Sequence, residues 1–262
     1  FRSTPRGDAP GWGPGLPAAL PALARTGGVA LESLLAAAWS ALAARWLEAP
    51  EVVLGYVEPA RAYDELRRVQ GLVAKTLPLA VPLDADKPLA HAARALEASL
   101  TQGRDWVEHF AWEPREETAR AALPVAFEFQ DARLGPVAGA PECRVEHLLG
   151  ASDGFVLKLS CVEDARGVTC EVLYDAHAVD EATARLVARM LADFLASVAR
   201  EPQAALRGQA LLEPASLHPL AGPPGTPGRL PTVVERFNQC VRDTPDALAL
   251  VQGERRLTYA QD

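Results

Sequence analysis

Asp180 follows His177 at a spacing that can pair an imidazole with a carboxylate, a partnership suited to moving protons near neutral pH. The pair stands where an alternating apolar stretch gives way to a helical repeat. Asp180 is therefore also placed as a helix N-cap, and capping is the reading adopted. His91, His109, His147 and His218 stand alone, with no Cys or second His at ligand spacing. The four cysteines, Cys143, Cys161, Cys170 and Cys240, have no Cys-x-x-Cys spacing, which argues against zinc. Cys161 and Cys170 can face each other across a hairpin, and two reduced thiols in a reducing compartment are expected. Glu116 and Glu117 are adjacent, so they diverge onto a solvated face. No Gly-rich phosphate loop, dinucleotide turn or Gly-x-Ser-x-Gly elbow occurs. The chain alone reads as non-catalytic, with no metal site.

The elements that would position any chemistry begin at Gly154. Phe155, Leu157, Leu159 and Cys161 alternate with Val156, Lys158 and Ser160, which predicts a half-buried strand. Asp164-Ala165-Arg166-Gly167 is a turn. Val168, Cys170, Val172 and Tyr174 then form a second, antiparallel strand. Val179, Ala182, Leu186, Val187, Met190, Leu191, Phe194, Leu195 and Val198 recur at helical spacing, which predicts a helix clamped on that sheet.

Residues 1–15 are glycine-rich and read as a mobile lead-in. A short helix from about Pro17 to Arg25 ends at Gly27-Gly28. Leu31, Leu34, Leu35, Ala38, Trp39, Leu42 and Trp46 mark an amphipathic helix, with both tryptophans read as core packing. Val52–Val57 is a short strand, followed by a charged connector. Leu72 to Leu83 is a longer strand that Pro78 and Pro82 demote to an edge. Pro88 opens a helix whose buried face is Leu89, Ala93, Leu96 and Leu100. Asp105 to Arg120 reads as loop, Val125 to Gln130 as strand, and Gly135 to Pro141 as loop. After Ala199 a Pro/Gly-rich linker follows, expected to lie flat on the preceding lobe. A new unit starts at Pro231, with Thr232 and Glu235 at capping-box spacing and a hairpin turning at Gly253.

The formal net charge of -8 and scattered basic residues disfavour nucleic acid, and 49% hydrophobic content excludes wholesale disorder. The apolar helix near Val29–Leu47 contains Glu32, Ser33, Ser40 and Arg45, so it reads as core rather than as a membrane span. No signal-peptide pattern is present, and a cytoplasmic location is expected. The chain starts at Phe1 and stops at Asp262 within a new unit, which reads as a piece of a longer protein.

The order of parts from about Leu16 to Asp262 resembles the C-terminal lobe of a nonribosomal peptide synthetase condensation domain, a linker and the opening of an adenylation domain. Thr244-Pro245-Asp246-Ala247-Leu248-Ala249-Leu250-Val251, then Leu257-Thr258-Tyr259-Ala260, is similar to the way adenylation domains begin. Val52-Val53-Leu54-Gly55 with Arg61 is similar to "IVVGTPVAGR". Gly71-Leu72-Val73-Ala74-Lys75-Thr76-Leu77 stands where "GFFVNTL" is usual, with Lys75 replacing Asn. Gly103-Arg104-Asp105-Trp106-Val107 occupies the place of "HQDLP", keeping only Asp105. Arg115 to Gln130 aligns on "RDLSRSPLFQVMFVLQ", matching at Arg115, Val125, Phe127 and Gln130.

The resemblance implies an α/β fold, a chloramphenicol-acetyltransferase-like half-domain with a mixed sheet and flanking helices. It divides the chain into a condensation lobe (1–199), a linker (200–230) and the start of an adenylation, AMP-binding domain (231–262). Arg61, Gly71, Lys75, Thr76, Asp105 and Gln130 are the implied channel or lobe-interface residues. The family's His-His-x-x-x-Asp-Gly belongs to the N-terminal lobe and is absent here. Implied partners are that lobe, the adenylation domain and carrier proteins. The fragment is expected to bind no cofactor, whereas the parent module would use ATP, Mg and carrier-bound 4'-phosphopantetheine. A degenerate lobe that only braces the adenylation domain is the alternative, favoured by the eroded motifs, and an epimerisation domain is a third reading. A His-His-x-x-x-Asp-Gly segment encoded upstream of Phe1 would distinguish the first two. The face beside Leu72 to Thr76 is expected to be apolar.

Overall fold

The computed structural model describes residues 2–3, 16–49, 51–60, 64–67, 71, 73–111, 123–132, 154–164, 167–212, 233–253 and 255–260. These fall into two compact units, Phe1–Pro214 and Ala215–Asp262.

The first unit is a mixed sheet backed by helices. In chain order it contains β1 (Arg2–Ser3), α1 (Leu16–Gly27), α2 (Leu31–Trp46), β2 (Glu51–Glu58), α3 (Asp64–Arg67), β3 (Lys75–Pro82) and α4 (Leu89–Trp106). Then come β4 (Val125–Asp131), β5 (Leu157–Asp164), β6 (Gly167–Tyr174) and α5 (Glu181–Arg200), with a 3-10 turn at Leu206–Gly208. Strand order is β1-β6-β5-β4-β2-β3. The β2/β4 and β4/β5 pairs are parallel, while β2/β3, β5/β6 and β1/β6 are antiparallel. This is the mixed sheet with flanking helices that the resemblance implies.

Gly28, at φ 66, ends α1 as the Gly27-Gly28 pair suggests. The β3 strand is an edge, and Pro78 and Pro82 are tolerated there because an edge residue can turn its donor-less nitrogen outward. Asp180 caps α5, its carboxylate accepting from the Thr183 N–H at 2.7 Å, so the His177/Asp180 pair is a helix start. Hydrogen bonds from the Thr183 backbone hold the Asp180 carboxyl below its usual pKa. A depressed folded-state pKa stabilises the fold fully above the ordinary carboxylate range, and this is lost as pH falls through the depressed value. Thermal melts of the parent and D180N should therefore converge on acidification, since the amide caps without titrating.

Four expectations are corrected. The α2 helix is not amphipathic: Ser33 through Ala44 are all buried, because the sheet, α4 and α5 enclose it. Trp39 is core, but Trp46 is 45% exposed. The stripe of α5 is turned toward its small residues, with Ala184, Ala188 and Ala192 buried, while Ala182 is exposed and Leu186 and Met190 are half-buried. Small residues let α5 approach α2 closely, a preference that a search for large side chains misses. Finally, β5 is buried on both faces, including Lys158 at 1% exposure.

Packing continues past Ala199. Leu206 N–H donates to the Lys87 carbonyl and Arg207 N–H to that of Ala85. Gln209, 4% exposed, is the hub: its Oε1 accepts from Ser197 Oγ at 2.7 Å and its Nε2 donates to the Glu201 carbonyl at 2.8 Å. Its own carbonyl accepts from Arg45 Nη1 at 2.6 Å. Replacing Gln209 by alanine leaves the Arg45 bond to its backbone carbonyl in place but removes the acceptor of the buried Ser197 hydroxyl, at a cost of about 1–3 kcal/mol. Hydrogen exchange at residues 201–211 should accelerate before the rest of the unit.

The second unit contains α6 (Val233–Asp243), β7 (Leu248–Gln252) and β8 (Arg255–Thr258). Its two strands turn at Gly253, φ 62, as expected. The Phe237 and Tyr259 rings lie 5.3 Å apart. Thr232, the capping-box partner of Glu235, and residues 135–141 lie outside the described residues. Among the described residues no single helix is long and apolar enough to cross a membrane. Together α1 and α2 reach that length only with a 93° bend, and α2 is buried in the core.

Candidate functional site

Because β2, β4 and β5 run parallel, their carboxyl ends meet at one edge of the sheet, where ligand sites of α/β folds concentrate. A cavity of about 660 Å³ lies there. Its floor is Glu58, Phe129, Asp131 and Glu163; its walls come from α1, the start of α2 and the end of α4.

One polar network organises the cavity. Arg104, in the last turn of α4, donates from Nε to Glu58 at 3.0 Å and from Nη2 to both Glu32 oxygens at 2.8 and 2.9 Å. Nη2 also lies 2.9 Å from the Tyr56 hydroxyl, which itself donates to Glu32. Burial, reinforced by the Glu32 charge, raises the Tyr56 pKa, so the phenol stays protonated. Burial opposes the charge on Arg104, but Tyr56 and the Glu32 carboxylate outweigh it and raise its pKa. The cation bridges two carboxylates, leaving one net negative charge, and ties α2, β2 and α4 together at the rim. Such a site can seat and orient a polar ligand. Among the described residues no histidine lines it, so it offers no imidazole base.

The residues singled out from sequence do not converge here. Lys75 starts β3, and its ammonium donates to the carbonyls of Val107, Glu108 and Phe110 at 2.8, 2.9 and 2.9 Å. All three of its protons go to carbonyls of the turn that follows α4. Asp105 is exposed on α4 rather than in a loop, because the helix runs to Trp106. Gly71, exposed with φ 143, precedes β3. Thr76 and Gln130 occupy the opposite sheet face: Thr76 pairs Val57, which pairs Glu128, and Gln130 Nε2 donates to Glu128 Oε1 at 2.6 Å. On that face Glu128 also meets the buried Lys158 ammonium at 2.7 Å. Arg61 and Leu72 lie outside the described residues; next to Thr76, the same face of β2 and β3 exposes Val53, Pro78 and Ala80. Sequence reasoning missed Glu32, Tyr56, Glu58 and Arg104 as a group. The one available signal was Glu32 itself, a carboxylate in the most apolar helix.

A second depression of about 310 Å³ is apolar, between the end of α2 (Trp46, Leu47), the starts of β4 and β5, and Val179 and Val187. Among the described residues no group of three His, Cys, Asp or Glu is arranged to hold a metal ion.

No protein-family model matches the chain. It is 27% identical over 259 residues to N-(5-amino-5-carboxypentanoyl)-L-cysteinyl-D-valine synthase of Amycolatopsis lactamdurans, covering 93% of this chain. It is 29% identical over 185 residues, 62% of this chain, to the nonribosomal peptide synthetase SIDD of Beauveria bassiana. The aligned regions span only 7% and 9% of those relatives. The first condensation domain of the CDA synthetase superposes with TM-score 0.60 at 16% identity, over 81% of this chain and 48% of that one. A four-domain nonribosomal peptide synthetase bound to AMP and glycine superposes with TM-score 0.65 at 14% identity, over 99% of this chain and 22% of that one.

Proposed function

We propose, for a chain related to nonribosomal peptide synthetases and folded as one half of a condensation domain, that it is the C-terminal lobe of such a domain followed by the opening of an adenylation domain. The observation that carries this reading is the match of 99% of the chain to a single four-domain synthetase. In the parent, a donor acyl or peptidyl thioester is attacked by the amine of an acceptor aminoacyl thioester, both delivered by carrier proteins. Such transfer is accelerated mainly by orientation. This lobe would supply a wall of the reaction chamber, with the Arg104–Glu32–Tyr56–Glu58 network fixing its rim. The family's catalytic histidines would come from the other lobe.

The carboxylates lining the cavity, Glu32, Glu58, Asp131 and Glu163, disfavour phosphate groups. ATP would therefore be held by other parts of the parent, and carrier-borne 4'-phosphopantetheine would enter only as the arm of the substrate. Lys75 favours a second reading, a non-catalytic brace: the residue in place of the family's Asn is fully engaged in holding α4.

The test mixes this chain, a separately produced lobe bearing His-His-x-x-x-Asp-Gly, and donor- and acceptor-loaded carriers, with intact-mass detection of peptide transfer. Transfer is expected only with both lobes present. A tight but silent pair of lobes assigns the brace role. Transfer by this chain alone overturns both readings.

A further inference from the structure

The β5–β6 hairpin carries a feature that acyl transfer does not use. Cys161 and Cys170 are register partners, and their sulfurs lie 3.1 Å apart as free thiols. The register is unbroken from the closing pair, Asp164 and Gly167. With only two residues between them, that closing pair is hydrogen-bonded, and pair types alternate along an antiparallel ladder. Counting back, Cys161 and Cys170 fall at a non-hydrogen-bonded position, where side chains stand closest and Cα atoms are about 4.5 Å apart. That separation lies within the range a disulfide spans, about 4.4–6.8 Å, so closure needs side-chain rotation rather than backbone movement. Cys161 is fully buried, whereas Cys170 is half-buried and reachable from outside.

We propose that Cys161 and Cys170 are an oxidation site, which a low-molecular-weight disulfide converts into a cross-strand disulfide stapling β5 to β6. The Cys170 thiolate attacks one sulfur of the small disulfide, and its proton goes to the small thiol released. A mixed disulfide remains on Cys170. Cys161 then attacks the Cys170 sulfur, and its proton leaves with the second small thiol. One S–S bond forms in the protein, one breaks in the oxidant, and two electrons pass from the cysteine pair to it. Burial, followed by the hydrogen bond to Cys170, pushes the Cys161 thiol well above its usual pKa. Closure by Cys161 is thus the slow step, and Cys170 is the point of entry. Among the described residues the sheet continues outside β6 as the two-residue β1, so the staple fastens the last full-length strand described on that side.

The experiment uses the full 262-residue chain with Cys143 and Cys240 replaced by serine, incubated with oxidised glutathione and acid-quenched. The expected product lacks two hydrogens, carries no glutathione, yields one cross-linked peptide joining residues 161 and 170, and reverts with dithiothreitol. Exchange of the β6 amides should slow roughly tenfold or more in that product. In the same background, C161S should retain a glutathione adduct on Cys170. A parent that retains the adduct, or that keeps both thiols after prolonged incubation while circular dichroism shows it folded, overturns the proposal. So does a C161S protein that takes up no glutathione.

Discussion

Substituting Glu128 with alanine lowers the unfolding free energy of the first unit by about 3–5 kcal/mol, because it leaves a buried ammonium without its counter-ion. Lys158 Nζ sits 2.7 Å from Glu128 Oε2, with side-chain exposures of 1% and 5%. Removing the carboxylate also deprives Gln130 Nε2 of its acceptor. The Phe155 ring, 5.1 Å from the ammonium, is a much weaker partner. The pair sits on β4 and β5, the two central strands of the sheet, so the loss weakens the whole unit. E128Q, which keeps an acceptor of the same shape, should fall between parent and alanine. The double variant E128L/K158M should recover most of the loss, since an apolar pair of similar volume removes the desolvation cost altogether. Urea unfolding followed by circular dichroism measures all four proteins. If E128A stays within about 1 kcal/mol of the parent, the pair is solvated and this account of the second sheet face is wrong.

Trp39→Ala is expected to be comparably damaging, about 3–5 kcal/mol, by opening a cavity at the centre of the buried helix α2. Trp39 is 2% exposed, and its indole N–H donates to the Ala126 carbonyl at 2.9 Å. W39F keeps part of the volume but not the donor, which isolates a hydrogen-bond contribution of about 1–3 kcal/mol within the total. Trp46, at the C-terminal end of the same helix and 45% exposed, is the control: W46A should change stability by only about 0.5 kcal/mol. Equal losses at the two positions would mean that α2 is not seated as described.

The contrast between these tryptophans shows what the sequence could reveal. Helical spacing places Trp39 and Trp46 on one face, but nothing local says that the first is buried with its indole against β4 while the second stays open. Alternation over Phe155 to Cys161 finds the strand yet misreads Lys158 and Ser160 as solvent-facing. A lysine looks polar in sequence even when a glutamate 30 residues away accompanies it inside. The hairpin register, by contrast, is legible: a two-residue turn after Asp164 sets Cys161 opposite Cys170. The cavity network was the least accessible part. Tyr56 lies 24 residues from Glu32 and 48 from Arg104, so no spacing rule joins them. Lys75 illustrates the limit of comparing motifs. Its replacement of an asparagine reads as erosion until the three carbonyls at the end of α4 are seen around its ammonium.

The prolines of β3 bear on how this chain behaves at high concentration. Pro78 and Pro82 lie an even number of residues apart, so both imino nitrogens face the same way, outward from the β2 ladder. A foreign strand arriving at that border would find half of the expected donors missing and a pyrrolidine ring in its path. On the opposite side, among the described residues, β1 pairs only Leu173 and Tyr174 of β6, so the proline-bearing β3 is the rim guarded by its own sequence, and cross-β growth should be hindered there.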